Sequence, residues 1–467
     1  MGRFETELED LKKRQKKLEH SYSNIGTIRF LMFLVMLGGL IVGLYDSNIP
    51  FLAVGIVAVV IFVLLVFRHG KLNEELEYTK AKVIVYERYM KRYDDSWKGF
   101  AEDGSEYLTD DDLVAKDLDI MGKNSIYQFI CVAGTEDGRQ MLAETLRQPE
   151  FAAEDRTKRQ IAIQELAEKH DFSMDFETLC VKSETGKKKK YSSDEFVAYC
   201  TSDDHIPEIF QVLRFLLPLI TIVLLILGIM GKVNLGYSLI SFFVVLLFSW
   251  ITSGVAGQAV MPMISFGYVI NDYIRMFELV SGETFDSELL NDIKNTISTD
   301  SGALNAVKKL ERISAAFNIR YNPIVHQVLC GLFLWDFHLG IMMDKWRDQY
   351  GSQVKTWIHA ISRMEELLSF AVLARTREVS YPEVTRHEKV EVSAENLRHP
   401  FSDPNDRDAM NLGTSVVKEG EPLGLLYGRV ATGIIKTQAQ LEAAREEFSL
   451  WTIFNPVTKD GKKTTPV

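Results

Sequence analysis

The chain has 467 residues, 46% of them hydrophobic and 25% charged, with a formal net charge of −11. That balance excludes a wholly disordered or collagen-like chain, and the acidic total argues against a protein that coats nucleic acid by bulk charge. Four cysteines, Cys131, Cys180, Cys200 and Cys330, lie far apart with no CxxC pair, so neither a zinc ribbon nor a disulfide framework is expected, and they read as reduced thiols.

In residues 1–29, Phe4, Leu8, Leu11 and Leu18 fall on one helical stripe amid charge, which predicts a stalk helix. Between residues 30 and 67 the only ionisable acid or base is Asp46, in a polar turn that ends at Pro50. The runs 30–44 and 51–67 each approach the ~20 residues needed to cross ~30 Å of hydrocarbon, so 30–67 is expected to be a transmembrane hairpin. Leu72, Leu76, Val83 and Met90 repeat the stripe over residues 68–93, so both helices are expected to continue inward as an antiparallel, coiled-coil stalk. Residues 94–123 follow, and their ten acidic residues up to Asp119 face only Lys98 and Lys116, the pattern of a solvated linker.

Residues 124–212 read as a helical region. The pattern over 124–169 is split at Gln148-Pro149, and Glu154 and Asp155 favour the start of its second piece. The run Lys187, Lys188, Lys189 and Lys190 after Gly186 is a loop with the chemistry for phosphate or lipid headgroups, although a simply solvated cluster is the commoner reading.

A second apolar block repeats the first. Residues 215–230 are uncharged, 231–234 form a turn, and the 39 residues from Val233 to the one before Asp272 carry no Asp, Glu, Lys or Arg. As one helix they would span about 58 Å, longer than a bilayer requires, so Gly254, Gly257 and Pro262 are expected to end or bend the span. Residues 213–258 thus make a second hairpin, four spans in all. The basic residues cluster at Arg3, Lys12–Arg14, Lys16, Lys17, Arg68, Lys71 and Arg214, while the inter-helix turns hold only Lys232. The expected arrangement is an integral protein of the cell inner membrane with both termini cytoplasmic.

Over residues 259–380 helical patterns recur at 286–298, 303–316, 324–349 and 353–375. The stretch 324–343 is apolar, but His326, Gln327, Asp336 and His338 interrupt it, so a buried soluble helix is expected rather than a fifth span. Asp336 and His338 are two residues apart and face different sides of a helix, so no metal site is read there. In residues 381–467, Val384, Val390 and Val392 alternate with charge, which suggests strands, and the final residues look like a frayed tail.

No GxSxG, HExxH or CxxC motif occurs. Asp460-Gly461-Lys462-Lys463-Thr464 falls short of a phosphate loop, because position 456 is Pro and the hydroxyl residue comes one place late. No catalytic, cofactor or metal residue is assigned.

Specific residues carry a family resemblance. Leu118-Asp119-Ile120-Met121-Gly122, Ser125-Ile126-Tyr127, Gly134-Thr135-Glu136-Asp137-Gly138-Arg139 with Leu142, Leu146 and Pro149, and then Arg159-Gln160 through Glu165-Leu166, form an ordered series. It resembles the core, or lever, domain of MutS-type DNA mismatch-repair ATPases. Asn322-Pro323, Trp335-Asp336 and the helices through Ala374 are similar to a membrane-inserted branch of that family, and Arg398-His399-Pro400 resembles the opening of its ATPase domain. In the second lever helix Ile161 and Leu166 are expected to pack back against the first. The resemblance implies a mainly α protein: a MutS-core-like lever, two transmembrane hairpins and a small β-containing C-terminal tail. About 55 residues follow Asn411-Leu412-Gly413, without phosphate loop or magnesium-binding acids, so the expectation is a MutS-like core without an ATPase of its own, through truncation, frameshift or natural loss. The expected partners are the lipid bilayer, with DNA, a second copy of the chain or a separate ATPase-bearing chain as candidates. The competing expectation is a membrane-anchored helical scaffold with no nucleic-acid role. A transporter fits less well, because the spans lack intramembrane charges.

Overall fold

The computed structural model describes residues 2–45, 49–109, 112, 115–116, 118–147, 153–185, 193–298, 302–321, 323–377, 379, 381, 391–395 and 414–418. It divides into two units, Met1–Glu378 and Val379–Val467. The first is helical throughout its described regular structure, apart from short 3-10 turns.

Helices α1 (Gly2–Tyr45) and α2 (Ile49–Tyr93) lie antiparallel along their whole length. Each joins an apolar half to a charged half without a break, as the stripes predict. In the charged halves Leu76 and Val83 are buried, and the ion pairs Lys12–Glu87 (2.8 Å) and Arg14–Glu75 (2.7 Å) cross the seam. In the apolar halves the backbones meet at Gly39 and Gly55, where a Cβ on Gly39 would stand 2.9 Å from the Gly55 Cα. Close crossings of this kind need residues without side chains.

The helical body is organised around α14 (Trp335–Thr376), whose Ile361, Met364, Leu367, Leu368, Ala371 and Val372 are essentially inaccessible. Packed on it are α3 (Ile126–Ile130), α4 (Glu136–Arg147), α5 (Ala153–Glu168), α7 (Asp194–Thr201), α10 (Ser253–Gly282), α11 (Glu288–Ile297) and α12 (Ala303–Phe317). Helix α6 (His170–Thr185) bridges α2 and α10. One continuous apolar core joins these elements, and Phe4, Tyr86 and Tyr89 of the stalk belong to it.

Three sequence expectations change here. The pattern break near residue 350 is not a helix break. Gly351 lies inside α14 because a Cβ there would overlap the Cys200 carbonyl, so the glycine serves a close approach. The acidic stretch after α2 is folded onto the body. Trp97 is buried edge-on to Phe129 at 5.1 Å, Gln128 donates to the Phe100 carbonyl (2.7 Å), and Arg147 donates to the Tyr107 carbonyl (3.0 Å). Its aromatic residues anchor what its charge suggested was solvated. Finally, Ile161 is 53% exposed, because α5 turns Arg159, Ala162 and Leu166 inward, mainly against α14.

The second apolar region is α8 (Ile209–Ile229) and α9 (Leu235–Ile251), closed by a turn in which the Asn234 side chain accepts from the Gly236 amide (2.7 Å). The helix ends at Thr252, and α10 then continues through Gly257 and Pro262. Helix α13 (Pro323–Phe333) packs on α8 and α9, with Gly331 against the Phe242 ring. The apolar stretch 324–343 is therefore not one buried soluble helix. It bends by 78° between α13 and α14 at Leu334, whose φ is +49°, and Val325, Val328, Phe333 and Met342 are exposed.

Three helical stretches are long and apolar enough to cross a membrane: Gly2–Gly43, Ala53–Tyr93 and Ile209–Ile229. The bent pair Val325–Phe333 and Trp335–Thr376 would make a fourth. Leu235–Ile251 is apolar but has 17 residues, about 26 Å of helix, so it falls short of the ~30 Å core. Large side chains such as Phe67 (69% exposed), Ile229 (73%) and Ile251 (75%) stand open on these helices, compatible with a membrane protein. In the second unit, strands β1 (Glu391–Glu395) and β2 (Thr414–Lys418) pair antiparallel, with Ser393 opposite Val416.

Candidate functional site

Two neighbouring acids of α14, Glu365 and Glu366, are almost wholly buried and look to opposite partners. Glu365 receives the amides of Gly134 (3.0 Å) and Thr135 (3.1 Å), the Thr135 hydroxyl and, weakly, the Cys180 thiol (3.4 Å). The Thr135 oxygen in turn accepts from the Gly138 amide (3.0 Å), so the segment before α4 is folded around this carboxylate. A Cβ at Gly138 would overlap Glu365, and one at Gly134 would overlap the Cys180 backbone. Burial raises the Glu365 pKa above the ordinary value, although its donors pull the other way. Glu366 is held by a two-pronged Arg159 guanidinium, which also lies 5.7 Å from the Phe370 ring centroid.

A second buried polar group fastens the stalk to the body. Tyr89 of α2 donates to Glu177 of α6 (2.7 Å), and Arg375 of α14 donates to the same Glu177 oxygen (2.8 Å) and to the Leu166 carbonyl (3.0 Å). Burial opposes charge on Arg375, yet Tyr89 and Glu177 outweigh it and hold its pKa above the usual arginine value. Arg92 donates to the Phe129 carbonyl (2.7 Å). At the far end of α1, Phe4 stacks on Tyr89 at 4.9 Å, and Glu7 accepts from Tyr86 (2.6 Å). Burial raises the Glu7 pKa, but bonds from Tyr86, Arg3 and His170 bring it down to about 2.

The third cluster sits at the α13–α14 bend. His326 Nε2 lies 3.0 Å from Asp336 Oδ1, and Cys330 Sγ lies 3.3 Å from the same nitrogen. Arg320 reaches the other Asp336 oxygen at 3.3 Å. His338, which the spacing put on a different side of the helix from Asp336, meets the Phe215 ring edge-on at 5.1 Å.

Among the residues singled out from sequence, Gly134, Thr135, Gly138, Arg139, Leu142, Arg159 and Leu166 are brought together around α14. Arg139 donates to Glu136 at 3.0 Å. Lys187, Lys188, Lys189 and Lys190 lie outside the described residues, as do Pro149 and Arg398-His399-Pro400. Sequence reasoning missed Glu365, Glu366, Glu177 and Arg375. Their one signal is charge on the apolar stripe of a long helix. No protein family, curated protein or solved structure matches the chain.

Proposed function

We propose that the chain is a membrane-anchored, MutS-related helical core that presents a lever-like cytoplasmic body to DNA or to a protein partner. One observation carries this reading. Two of the segments that carry the resemblance, 134–139 and 159–166, close on adjacent acids of a single long helix, and the stalk helix α2 is joined to that same helix through Arg375. A movement of α14 would be felt in both the motif segments and the stalk, as a lever requires.

In this proposal α1–α2 and α8–α9 are two membrane hairpins with four spans, the short α9 completed at the interface, and the β strands lie in the region that resembles the opening of an ATPase-type domain. The basic residues beside the spans support a cytoplasmic location for both termini and the body, in a cell with an inner membrane.

One observation favours the scaffold reading. Basic residues of the stalk are already paired with acids: Lys12 with Glu87, Lys13 with Asp10, Arg14 with Glu75 and Lys82 with Asp175. They offer phosphates little net charge. An electrophoretic shift assay with the full chain in detergent at two salt concentrations separates the readings. Saturable binding that weakens steeply with salt supports the DNA arm, and no binding at low salt removes it.

A further inference from the structure

We propose that His326, Cys330 and Asp336 form a binding site for a transition-metal dication of the Zn2+ type, which clamps α13 to α14 across their bend. This inference is independent of the MutS-related reading.

His326 and Cys330 are one helical turn apart on α13, so their side chains share a face. Asp336 belongs to the first turn of the next helix. It reaches the same point because Leu334, in the left-handed region, folds the chain by 78°. A leucine in that conformation is uncommon and strained, so surrounding structure must hold it there. The three donor atoms all lie within 4.8 Å of one another, Cys330 is 2% exposed and Asp336 7%.

The donor distances suit a tetrahedral ion. Zinc bonds of 2.0–2.1 Å to His, 2.3 Å to Cys and 2.0–2.2 Å to Asp imply an N···O edge of about 3.4 Å and an N···S edge of about 3.6 Å. The separations of 3.0 and 3.3 Å need only open by a few tenths of an ångström, within the reach of small side-chain rotations. One nitrogen, one sulfur and one carboxylate oxygen are the donors of a borderline-soft dication, whereas Ca2+ and Mg2+ take oxygen sets. Arg320 on the far carboxylate oxygen orients Asp336, as outer partners of metal ligands do. Binding displaces the Cys330 thiol proton to solvent, and water takes the fourth position.

The test uses the full chain purified in detergent micelles and dialysed against Zn2+, with metal content read by mass spectrometry. Wild type and a Cys200→Ser control are expected to retain about one ion per chain. Cys330→Ser and His326→Gln, with unchanged helical circular dichroism, should bind at least about tenfold more weakly. Co2+ added to the wild type should give the visible bands of a tetrahedral site and a near-ultraviolet thiolate band that Cys330→Ser abolishes. Should those variants fail to fold, the isosteric Asp336→Asn must still weaken binding and alter the Co2+ spectrum. A wild type without the thiolate band, or folded variants that hold zinc as tightly as the wild type, overturns the proposal.

Discussion

Replacing Glu365 by Ala tests the buried acid at the centre of the body. The change strips the acceptor from two backbone amides, Gly134 and Thr135, and from the Thr135 hydroxyl, all of them buried. An unsatisfied buried donor costs ~1–3 kcal/mol. The hydroxyl can rotate towards another acceptor but the amides cannot, so the loss is about 4 kcal/mol. At roughly 2 °C per kcal/mol for a large domain, the thermal midpoint should fall by about 8 °C. Glu365→Gln keeps a carbonyl oxygen for both amides and should cost about 1 kcal/mol or less. The pH dependence follows from the raised pKa. The folded state favours the protonated acid, so its contribution is complete below the ordinary glutamate range and is lost as pH rises through the folded value. Glu365→Gln should therefore gain on the wild type as pH rises. The assay is thermal unfolding of the full chain in detergent, followed by circular dichroism between pH 5 and 9. Equal midpoints for the Ala and Gln variants would refute the reasoning.

Arg375→Met leaves Glu177 charged and buried, so it should cost about 3–5 kcal/mol, and the double variant with Glu177→Leu should recover much of that in the same unfolding assay. Gly39→Leu should lower the midpoint in lipid nanodiscs by several degrees, because its side chain would enter the Gly55 backbone; Gly70→Ala on α2, with open space around it, should not. Glu7 has its pKa lowered from 4.5 to about 2, so its stabilisation is present above about pH 4.5 and lost as pH falls through about 2. The shift alone would be worth about 3 kcal/mol, which solvent exposure reduces to about 1 kcal/mol. The stability gap between wild type and Glu7→Gln should narrow over that window, and a gap constant with pH would count against the contact.

How much of this could be read from sequence depended on the range of the interaction. Uncharged runs and heptad-like stripes are local, so the long apolar helices and their continuation into the stalk were legible from residues 4–93. The bend at Leu334 was not, because no glycine or proline announces it and a leucine adopts a left-handed conformation only under tertiary constraint. That hidden bend also concealed the partner of Asp336, which meets His326 ten residues back. Glu365 and Glu366 look like ordinary charges until partners some 200 residues away close on them. The pattern split between 349 and 353 runs through one continuous helix, where Gly351 serves a close approach to Cys200.

The open apolar faces of α1, α2 and α8 call for a covering of lipid. Cells expressing the chain can be fractionated, their membranes washed with alkaline carbonate and urea, and the protein followed by immunoblot. Retention in the washed pellet with release by detergent is the predicted result. A chain recovered from the detergent-free supernatant as a monodisperse species would contradict it.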